Sequence, residues 1–243
     1  MAVTTRERTC AVLALVLVLA QACSLPAEVA PPPPSDDATS THDFADVKYW
    51  SSVFDDPARD AWQKPKELVA SLDIRRGSVV ADLGAGTGYL SRRLAAAVGP
   101  DGTVLAVETE PTLVAHLRER AEREKTPNVV PVLASPSDPR LPPGGVDLIL
   151  VVDTYHHIND RRTYLQALRR FLRPDGRVAV VDWQKRNLPV GPPMDHKLAR
   201  EQVVDEMQAS GFTLAAEHTI LPYQYFLVFA QAEPRDRPGT PTR

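Results

Sequence analysis

Residues 79–90, VVADLGAGTGYL, constrain the fold of this chain more than any other stretch. A short apolar run ends in Asp82, and glycines follow at alternate positions, Gly84, Gly86 and Gly88. Glycine permits a backbone with positive φ and lets a ligand approach closely, because it has no Cβ. The stretch therefore predicts a strand, a tight turn and the beginning of a helix, arranged to bind a ligand.

Strand-like apolar runs alternate with segments of helical periodicity along most of the chain. The predicted strands are 79–82, 103–108, 129–133, 146–152, 177–182, 213–219 and 225–230, and the predicted helices are 65–72, 90–98, 111–125, 161–171 and 199–210. Such alternation is typical of a parallel sheet with helices on both faces. The linker 221–224 is too short for a parallel crossover and predicts an antiparallel hairpin. The expected fold is α/β, a Rossmann-like seven-stranded mostly parallel sheet with helices on both faces and an antiparallel C-terminal hairpin.

The N-terminus has the pattern of an export signal. Two arginines precede an apolar segment at 11–20, and Ala-Gln-Ala at 20–22 fits the small-x-small rule of a cleavage site. Cleavage there would leave Cys23 at the new N-terminus, which resembles a bacterial lipoprotein signal. We therefore expect residues 1–22 to be a signal peptide and a lipid on Cys23 to tether the exported protein to a membrane. Secretion to the periplasm would use the same cleavage site, and a cytoplasmic protein would retain the segment.

The remaining composition divides the chain into a tether, one domain and a tail. Residues 23–46 and 234–243 are rich in proline and polar residues and are predicted to be disordered, whereas 47–233 can form one domain. The two cysteines, Cys10 and Cys23, allow no disulfide and no cysteine metal site in a mature protein. A net charge of −3 gives no general reason to expect a nucleic-acid partner.

The spacing of the glycines bears on the identity of the ligand. A dinucleotide-binding turn requires G-x-G-x-x-G, but Tyr89 stands where the third glycine is needed. A phosphate-binding loop requires Gly-Lys-Ser/Thr, which does not follow this turn. The second predicted strand ends in Glu108, whose two carboxylate oxygens can accept hydrogen bonds from both hydroxyls of a ribose. The turn by itself leaves the ligand open, and Glu108 favours a nucleoside.

Several motifs, in the same order, resemble those of class I methyltransferases that use S-adenosylmethionine (SAM). The turn DLGAGTG at 82–88 is similar to their SAM signature, and LRPDGR at 172–177 is similar to the turn before their fifth strand. VDLI at 146–149 opens the fourth strand as it does in that family. The pattern resembles the small-molecule methyltransferases of ubiquinone and menaquinone biosynthesis. The resemblance implies SAM as cofactor and methyl transfer to a small-molecule or lipid-like acceptor.

The resemblance also implies which residues bind the cofactor. Glu108 matches the acid that binds the ribose, and Asp138 matches an acid that contacts the adenine. Trp62 and Gln63 lie in a region that folds over SAM in relatives. From the chemistry of SAM, we expect backbone N–H groups of the turn and of the helix N-terminus to bind its carboxylate. Asp82 is expected to hold the turn and to accept a hydrogen bond from the ammonium group, directly or through water. The expected cofactor-binding residues are Asp82, Gly84, Ala85, Gly86, Gly88, Glu108, Thr109, Asp138, Asp153, Trp62 and Gln63.

Two candidate catalytic residues, Asp153 and His156, follow the fourth predicted strand, where the methyl group is expected to lie. A histidine here could remove a proton from the acceptor, or one histidine could pack under the loop while the other caps the next helix. Asp153 is expected to act near the methionine end of SAM or near the acceptor. Zinc binding by His156 and His157 is not expected, because no suitably spaced third ligand accompanies them. Trp183 and Tyr223 are placed either to shape the acceptor pocket or to pack within the domain.

Two other functions compete with methyl transfer at this stage. An exported binding module could keep the fold without turnover, since SAM is made in the cytoplasm and the N-terminus predicts export. A nicotinamide-dependent dehydrogenase is disfavoured by Tyr89 in place of the third glycine. The intact turn and Glu108 favour retained SAM binding.

The predicted lipid anchor can be tested with Cys23→Ser in the full chain. We expect the unchanged protein to fractionate with membranes and to carry a lipid on Cys23, and the variant to lose both properties. Recovery of unchanged protein from the cytoplasm with an intact N-terminus would contradict the export prediction.

Overall fold

The computed structural model of the protein describes residues 44–232. The predicted signal peptide, Cys23, nearly all of the predicted tether and the predicted tail lie outside the described residues and stay predictions. Within the described part, no helix is both long enough and apolar enough to cross a membrane.

A single seven-stranded sheet, ordered β3-β2-β1-β4-β5-β7-β6, forms the centre of the domain. Neighbouring strands from β3 to β5 run parallel, whereas β7 is antiparallel to both β5 and β6. The strands are β1 Val79–Leu83, β2 Thr103–Glu108, β3 Val129–Leu133, β4 Val146–Val152, β5 Leu172–Trp183, β6 Phe212–His218 and β7 Gln224–Gln231. The predicted sheet and its C-terminal hairpin are confirmed.

Helices cover both faces of this sheet. They are α1 Val47–Phe54, α2 Arg59–Gln63, α3 Pro65–Ser71, α4 Ser91–Val98, α5 Pro111–Glu124, α6 Arg161–Leu168 and α7 Arg200–Ala209. Buried side chains of α3, α4 and α5 pack with one face of the sheet, and those of α6 and α7 pack with the other. Short 3₁₀ helices lie at Tyr155–His157, Arg169–Phe171 and Met194–His196. The helices predicted from periodicity are present, with small shifts at their ends, and the last turn predicted for α6 is 3₁₀.

Helices α1 and α2 precede the first predicted element and were not predicted. No residue of α1 is buried in the core, although its apolar Val47, Trp50 and Phe54 recur at helical spacing. Its aromatic rings pack on one another instead, with Trp50 stacked 5.0 Å from Phe54 and 4.7 Å from Phe44. A 2.8 Å ion pair between Asp55 and the largely buried Arg120 of α5 fastens the end of α1.

The order of the strands reverses between β1 and β4, and the turn after β1 packs directly on the residues after β4. A Cβ at Gly84 would lie 2.9 Å from Cβ of Thr154 and closer still to its hydroxyl and methyl groups. Gly84 also has φ of 76°, which L side chains rarely adopt. Glycine is therefore required here for two reasons, and the close approach sets the distance between the two strand ends.

Replacement of Gly84 tests this contact. Gly84→Ala adds a collision with Thr154 to the strain of positive φ, so we expect it to lower the free energy of unfolding by roughly 3–5 kcal/mol. Gly77→Ala is the matched control, because Gly77 has φ of 82° and nothing lies within 4 Å of its added Cβ. The control should cost about 1–2 kcal/mol in urea unfolding. Equal losses in the two variants would show that the contact with Thr154 is not a constraint.

Candidate functional site

Three acidic residues lie at or just after the carboxyl ends of adjacent strands, beside the reversal of strand order. Asp82 lies near the end of β1, Glu108 is the last residue of β2, and Asp153 follows β4. Parallel sheets bind their ligands at this edge, because the loops diverge where the strand order reverses. The structure thus brings together three of the residues predicted from the sequence.

Four backbone N–H groups of the glycine turn donate hydrogen bonds within the protein. The N–H groups of Gly84 and Ala85 both donate to the carbonyl oxygen of Val107, at 3.0 and 3.1 Å. Gly86 donates to Glu108 Oε1 at 3.1 Å, and Gly88 donates to the carbonyl oxygen of Ala85 at 2.9 Å. Three of these N–H groups hold the turn on β2 and the fourth closes the turn on itself. Carboxylate binding by other N–H groups of the turn and of the helix N-terminus stays a prediction.

Glu108 is fixed by the backbone on both of its oxygens. Gly86 N–H donates to Oε1 and Thr109 N–H donates to Oε2, each at 3.1 Å. Burial raises the pKa of Glu108, and the backbone hydrogen bonds oppose that rise. A carboxylate has about four lone-pair positions, so each oxygen retains one for a ligand hydroxyl.

Asp82 is deeply buried, with 3% of its surface exposed. Its Oδ2 accepts a hydrogen bond of 2.6 Å from the hydroxyl of Ser91, the first residue of α4. Burial raises the pKa of Asp82 to about 6, and the nearby Glu108 carboxylate adds to the rise. Asp82 thus links the end of β1 to the beginning of α4, and its buried carboxylate could interact with a positively charged group.

Asp153 adopts a left-handed backbone, with φ of 53°. Non-glycine residues in this region are uncommon and are frequent at functional sites. Burial raises the pKa of Asp153 to about 7, although the guanidinium of Arg59 opposes the rise. Its Oδ1 accepts a hydrogen bond of 2.6 Å from Gln224, and Arg59 lies 3.4 Å from its Oδ2.

Arg59, from α2, was missed by the sequence-based prediction. Its side chain is only 13% exposed, and its guanidinium lies 4.3 Å from the ring centroid of Tyr89 in the glycine turn. This is cation–π geometry, which holds a positive charge above the aromatic face. The one sequence signal was its closeness to Trp62 and Gln63, because that segment was expected to fold over the cofactor.

The structure places Gln63 and Trp62 differently. Gln63 is fully buried and donates through Nε2 to Gln224 Oε1 at 2.9 Å. Trp62 packs at the rim, with its ring 5.2 Å from that of Trp183 and 6.4 Å from that of Tyr223. Gln63 therefore joins the polar interior of the site, and Trp62 joins an aromatic group at its edge.

Asp138 lies after β3, apart from Asp82, Glu108 and Asp153. Its Oδ1 accepts a hydrogen bond of 2.9 Å from Arg140 N–H and lies 3.5 Å from the Arg170 guanidinium. Its side chain is 44% exposed. Adenine contact by Asp138, like ligand contact by Thr109, stays a prediction.

His156 is buried beneath the loop that follows β4, with 2% of its surface exposed. Its Nδ1 lies 2.9 Å from both carboxylate oxygens of Asp182, at the end of β5. Burial opposes the charged imidazole, but the Asp182 carboxylate outweighs burial and raises the pKa of His156. This position matches the packing alternative, and a catalytic role for His156 stays a prediction. Among residues 44–232, no cluster of three or more His, Cys, Asp or Glu could hold a metal ion.

Comparison with known proteins agrees with this geometry. Residues 80–176 match the family model described as a methyltransferase domain. The ubiquinone/menaquinone biosynthesis C-methyltransferase of Ectopseudomonas mendocina (strain ymp) is 27% identical over 118 residues, which are 48% of this chain and 46% of that protein. The chain thus matches about half the length of this relative.

Solved structures show the same fold. A SAM-dependent methyltransferase from Aquifex aeolicus aligns with a TM-score of 0.74 and 23% identity, over 79% of this chain and 100% of that chain. Phosphoethanolamine N-methyltransferase 2 from Haemonchus contortus, in complex with SAM, aligns with a TM-score of 0.63 and 14% identity, over 79% of this chain and 58% of that chain. Residues 80–176 thus match a methyltransferase domain, and the solved structures show that the fold around them is that of SAM-dependent methyltransferases.

Proposed function

We propose that this protein transfers the methyl group of SAM to a small, apolar or lipid-like acceptor. The observation that carries the proposal is the set of three carboxylates, the buried Asp82 and the partly buried Glu108 and Asp153, whose pKa values are all raised by loss of solvent. Buried carboxylates are costly unless a cation or hydrogen-bond donors face them. SAM brings an ammonium group, a sulfonium and two ribose hydroxyls, which suit such a site.

The same charges argue against a dinucleotide. The pyrophosphate of a dinucleotide binds backbone N–H groups at this turn, and here Gly84, Ala85 and Gly86 already donate elsewhere. Two negative phosphates would also lie beside the carboxylates of Asp82 and Glu108, which is electrostatically unfavourable. A dehydrogenase is therefore not proposed.

Each part of the cofactor has a partner of suitable chemistry. Glu108 would accept hydrogen bonds from the ribose hydroxyls through its free lone pairs. Arg59 would bind the carboxylate of the amino-acid end, since a guanidinium pairs well with a carboxylate. The N–H groups of Gly84, Ala85, Gly86 and Gly88 already donate hydrogen bonds within the protein. Asp82 and Asp153 would lie near the amino-acid end of SAM and would face its ammonium and sulfonium groups.

Methyl transfer depends chiefly on placement. SAM supplies an electrophilic methyl group on its sulfonium. The acceptor attacks the methyl carbon in line with the carbon–sulfur bond, which breaks as the sulfur leaves as a thioether. The protein contributes by holding donor and acceptor in line and by excluding water from the site. If the acceptor must lose a proton, Asp153 is the better placed of the two predicted bases, because His156 is committed to Asp182 through Nδ1.

Aromatic residues beside the site support an apolar acceptor. Phe44 and Trp50 pack next to each other, and the Phe44 ring lies edge-on 5.9 Å from His157, in the loop after β4. Phe54 packs on the glycine turn, 3.2 Å from where a Cβ of Gly86 would lie. Such rings offer surface for an apolar molecule, and the ubiquinone/menaquinone relative is named for a pathway with apolar products.

Turnover can be tested with isotopically methyl-labelled SAM and fractionated small-molecule and lipid extracts of the source cell. Transfer of label to one fraction is expected from the proposed enzyme. SAM binding without labelling of any fraction would favour the binding module.

Ribose recognition is tested with Glu108→Ala. We expect SAM binding to weaken by roughly 30- to 150-fold in calorimetry, because hydrogen bonds to a charged group contribute about 2–3 kcal/mol. Glu119→Ala, on the exposed face of α5, is the control and should leave affinity unchanged. An unchanged affinity in Glu108→Ala would rule out the ribose assignment.

Asp153→Asn tests the buried charge through pH. The folded pKa of about 7 exceeds the ordinary value of 3.8, so the folded state binds more protons than the unfolded state between these values. Stability due to this group therefore falls as pH rises from about 4 to about 7. Asn removes this dependence, so the stability of the variant relative to the unchanged protein should improve with pH, by roughly 1 kcal/mol per pH unit. A difference that stays constant in urea unfolding from pH 5 to pH 8 would contradict a raised pKa.

A further inference from the structure

Four side chains of the site form a closed ring of hydrogen bonds. Arg59 Nη2 donates to Gln63 Oε1 at 3.0 Å, and Gln63 Nε2 donates to Gln224 Oε1 at 2.9 Å. Gln224 Nε2 donates to Asp153 Oδ1 at 2.6 Å, and Arg59 Nη2 closes the ring 3.4 Å from Asp153 Oδ2. The ring joins helix α2, the beginning of β7 and the end of β4.

The chemistry of its members determines that hydrogen bonds in this ring run from Arg59, which only donates, to Asp153, which only accepts. A guanidinium has only donors and a carboxylate has only acceptors, so the two amides between them must each accept on one side and donate on the other. Gln63 accepts from Arg59 and donates to Gln224 at 2.9 Å. Gln224 donates to Asp153 at 2.6 Å and, at the longer distance of 3.5 Å, back to Gln63 Oε1. Each amide orientation is thus fixed by its neighbours.

Both amides are buried, Gln63 with 0% and Gln224 with 2% of its surface exposed. A buried amide that loses its partners costs about 1–3 kcal/mol, so both are held strongly in place. The side chains of Arg59 and Asp153 keep more exposure, 13% and 19%. The buried half of the ring therefore acts as a rigid spacer, and the charged half faces the ligand side.

The charged half also contains the longest link. Arg59 and Asp153 are 3.4 Å apart, whereas the amide links measure 2.9 and 2.6 Å. A contact of 3.4 Å lies beyond the usual length of a strong charge-assisted hydrogen bond. The ring can open between Arg59 and Asp153 while the amide links stay intact.

We propose that Gln63 and Gln224 are positioning residues for the amino-acid end of SAM. They hold Arg59 and Asp153 side by side, so that the guanidinium meets the α-carboxylate and the Asp153 carboxylate meets the α-ammonium. The ligand charges are adjacent and opposite, as are those of the pair, so binding exchanges one long ion pair for two short ones. This inference rests on the proposed function. It assigns a role in cofactor binding to Gln224 of β7, a strand that contains neither the glycine turn nor Glu108.

The role predicts a selective defect, because the nucleoside part of SAM does not reach the ring. The probes are SAM and 5′-methylthioadenosine, which keeps the adenine, ribose and sulfur but lacks the amino acid. Their affinities are measured by calorimetry on the full chain with Gln224→Met, a side chain of similar length without an amide. We expect SAM to bind about 10-fold more weakly, and methylthioadenosine to change by less than about twofold.

Two further variants complete the experiment. Gln63→Met interrupts the ring from the α2 side and should give the same selective loss. Gln184→Met is the matched control, because the Gln184 side chain donates to the backbone oxygen of Gln224 and accepts from Arg186, and it lies outside the ring. Binding of methylthioadenosine also reports that each variant is folded.

Three outcomes are decisive. A loss for SAM alone in both ring variants supports the inference. Equal weakening of both ligands, or no weakening of either, overturns it and leaves the proposed function standing. Methylthioadenosine binding without any SAM binding by the unchanged protein would overturn the proposed function and this inference with it.

Discussion

The close packing of the glycine turn on the residues after β4 is the constraint on which the site depends. Gly84 approaches Thr154 so closely that no side chain fits between them. Since Asp153 precedes Thr154, this contact also fixes Asp153 relative to the turn. The N–H groups of the turn are bonded to Val107 and Glu108, which ties β2 to the same unit. The ends of three strands therefore behave as one rigid support, as placement-controlled chemistry requires.

The second determinant of the site is the burial of charge on that support. Asp82, Glu108 and Asp153 are ordinary acids by sequence, and their pKa values are raised because the folded chain shields them from solvent. Helix α2 supplies the compensating charge through Arg59, which stacks on Tyr89 of the turn. A site with buried acids and one cation at its edge favours a ligand of mixed charge over a phosphate.

The bounds of β2, β3 and β4 coincide with the predicted 103–108, 129–133 and 146–152. Each of these apolar runs is bounded by turn residues such as Gly102, Asn128 and Gly145, which mark its beginning in the sequence. Helices α1 and α2 escaped prediction because they are short and bury little of themselves in the core. Lys64, with φ of 44°, separates α2 from Pro65, where the next helix was predicted to begin.

The sequence by itself determined the strand, turn and helix around Gly84 and the acid at Glu108, because local backbone chemistry and spacing specify them. Only the tertiary structure decided the partners of that turn. Arg59 meets Asp153 across 94 residues, and Gln63 meets Gln224 across 161 residues. The second contact depends on the insertion of β7 beside β5, which brings the beginning of one strand next to the ends of others. No local pattern encodes that meeting, since it arises from the order in which strands pair in the sheet.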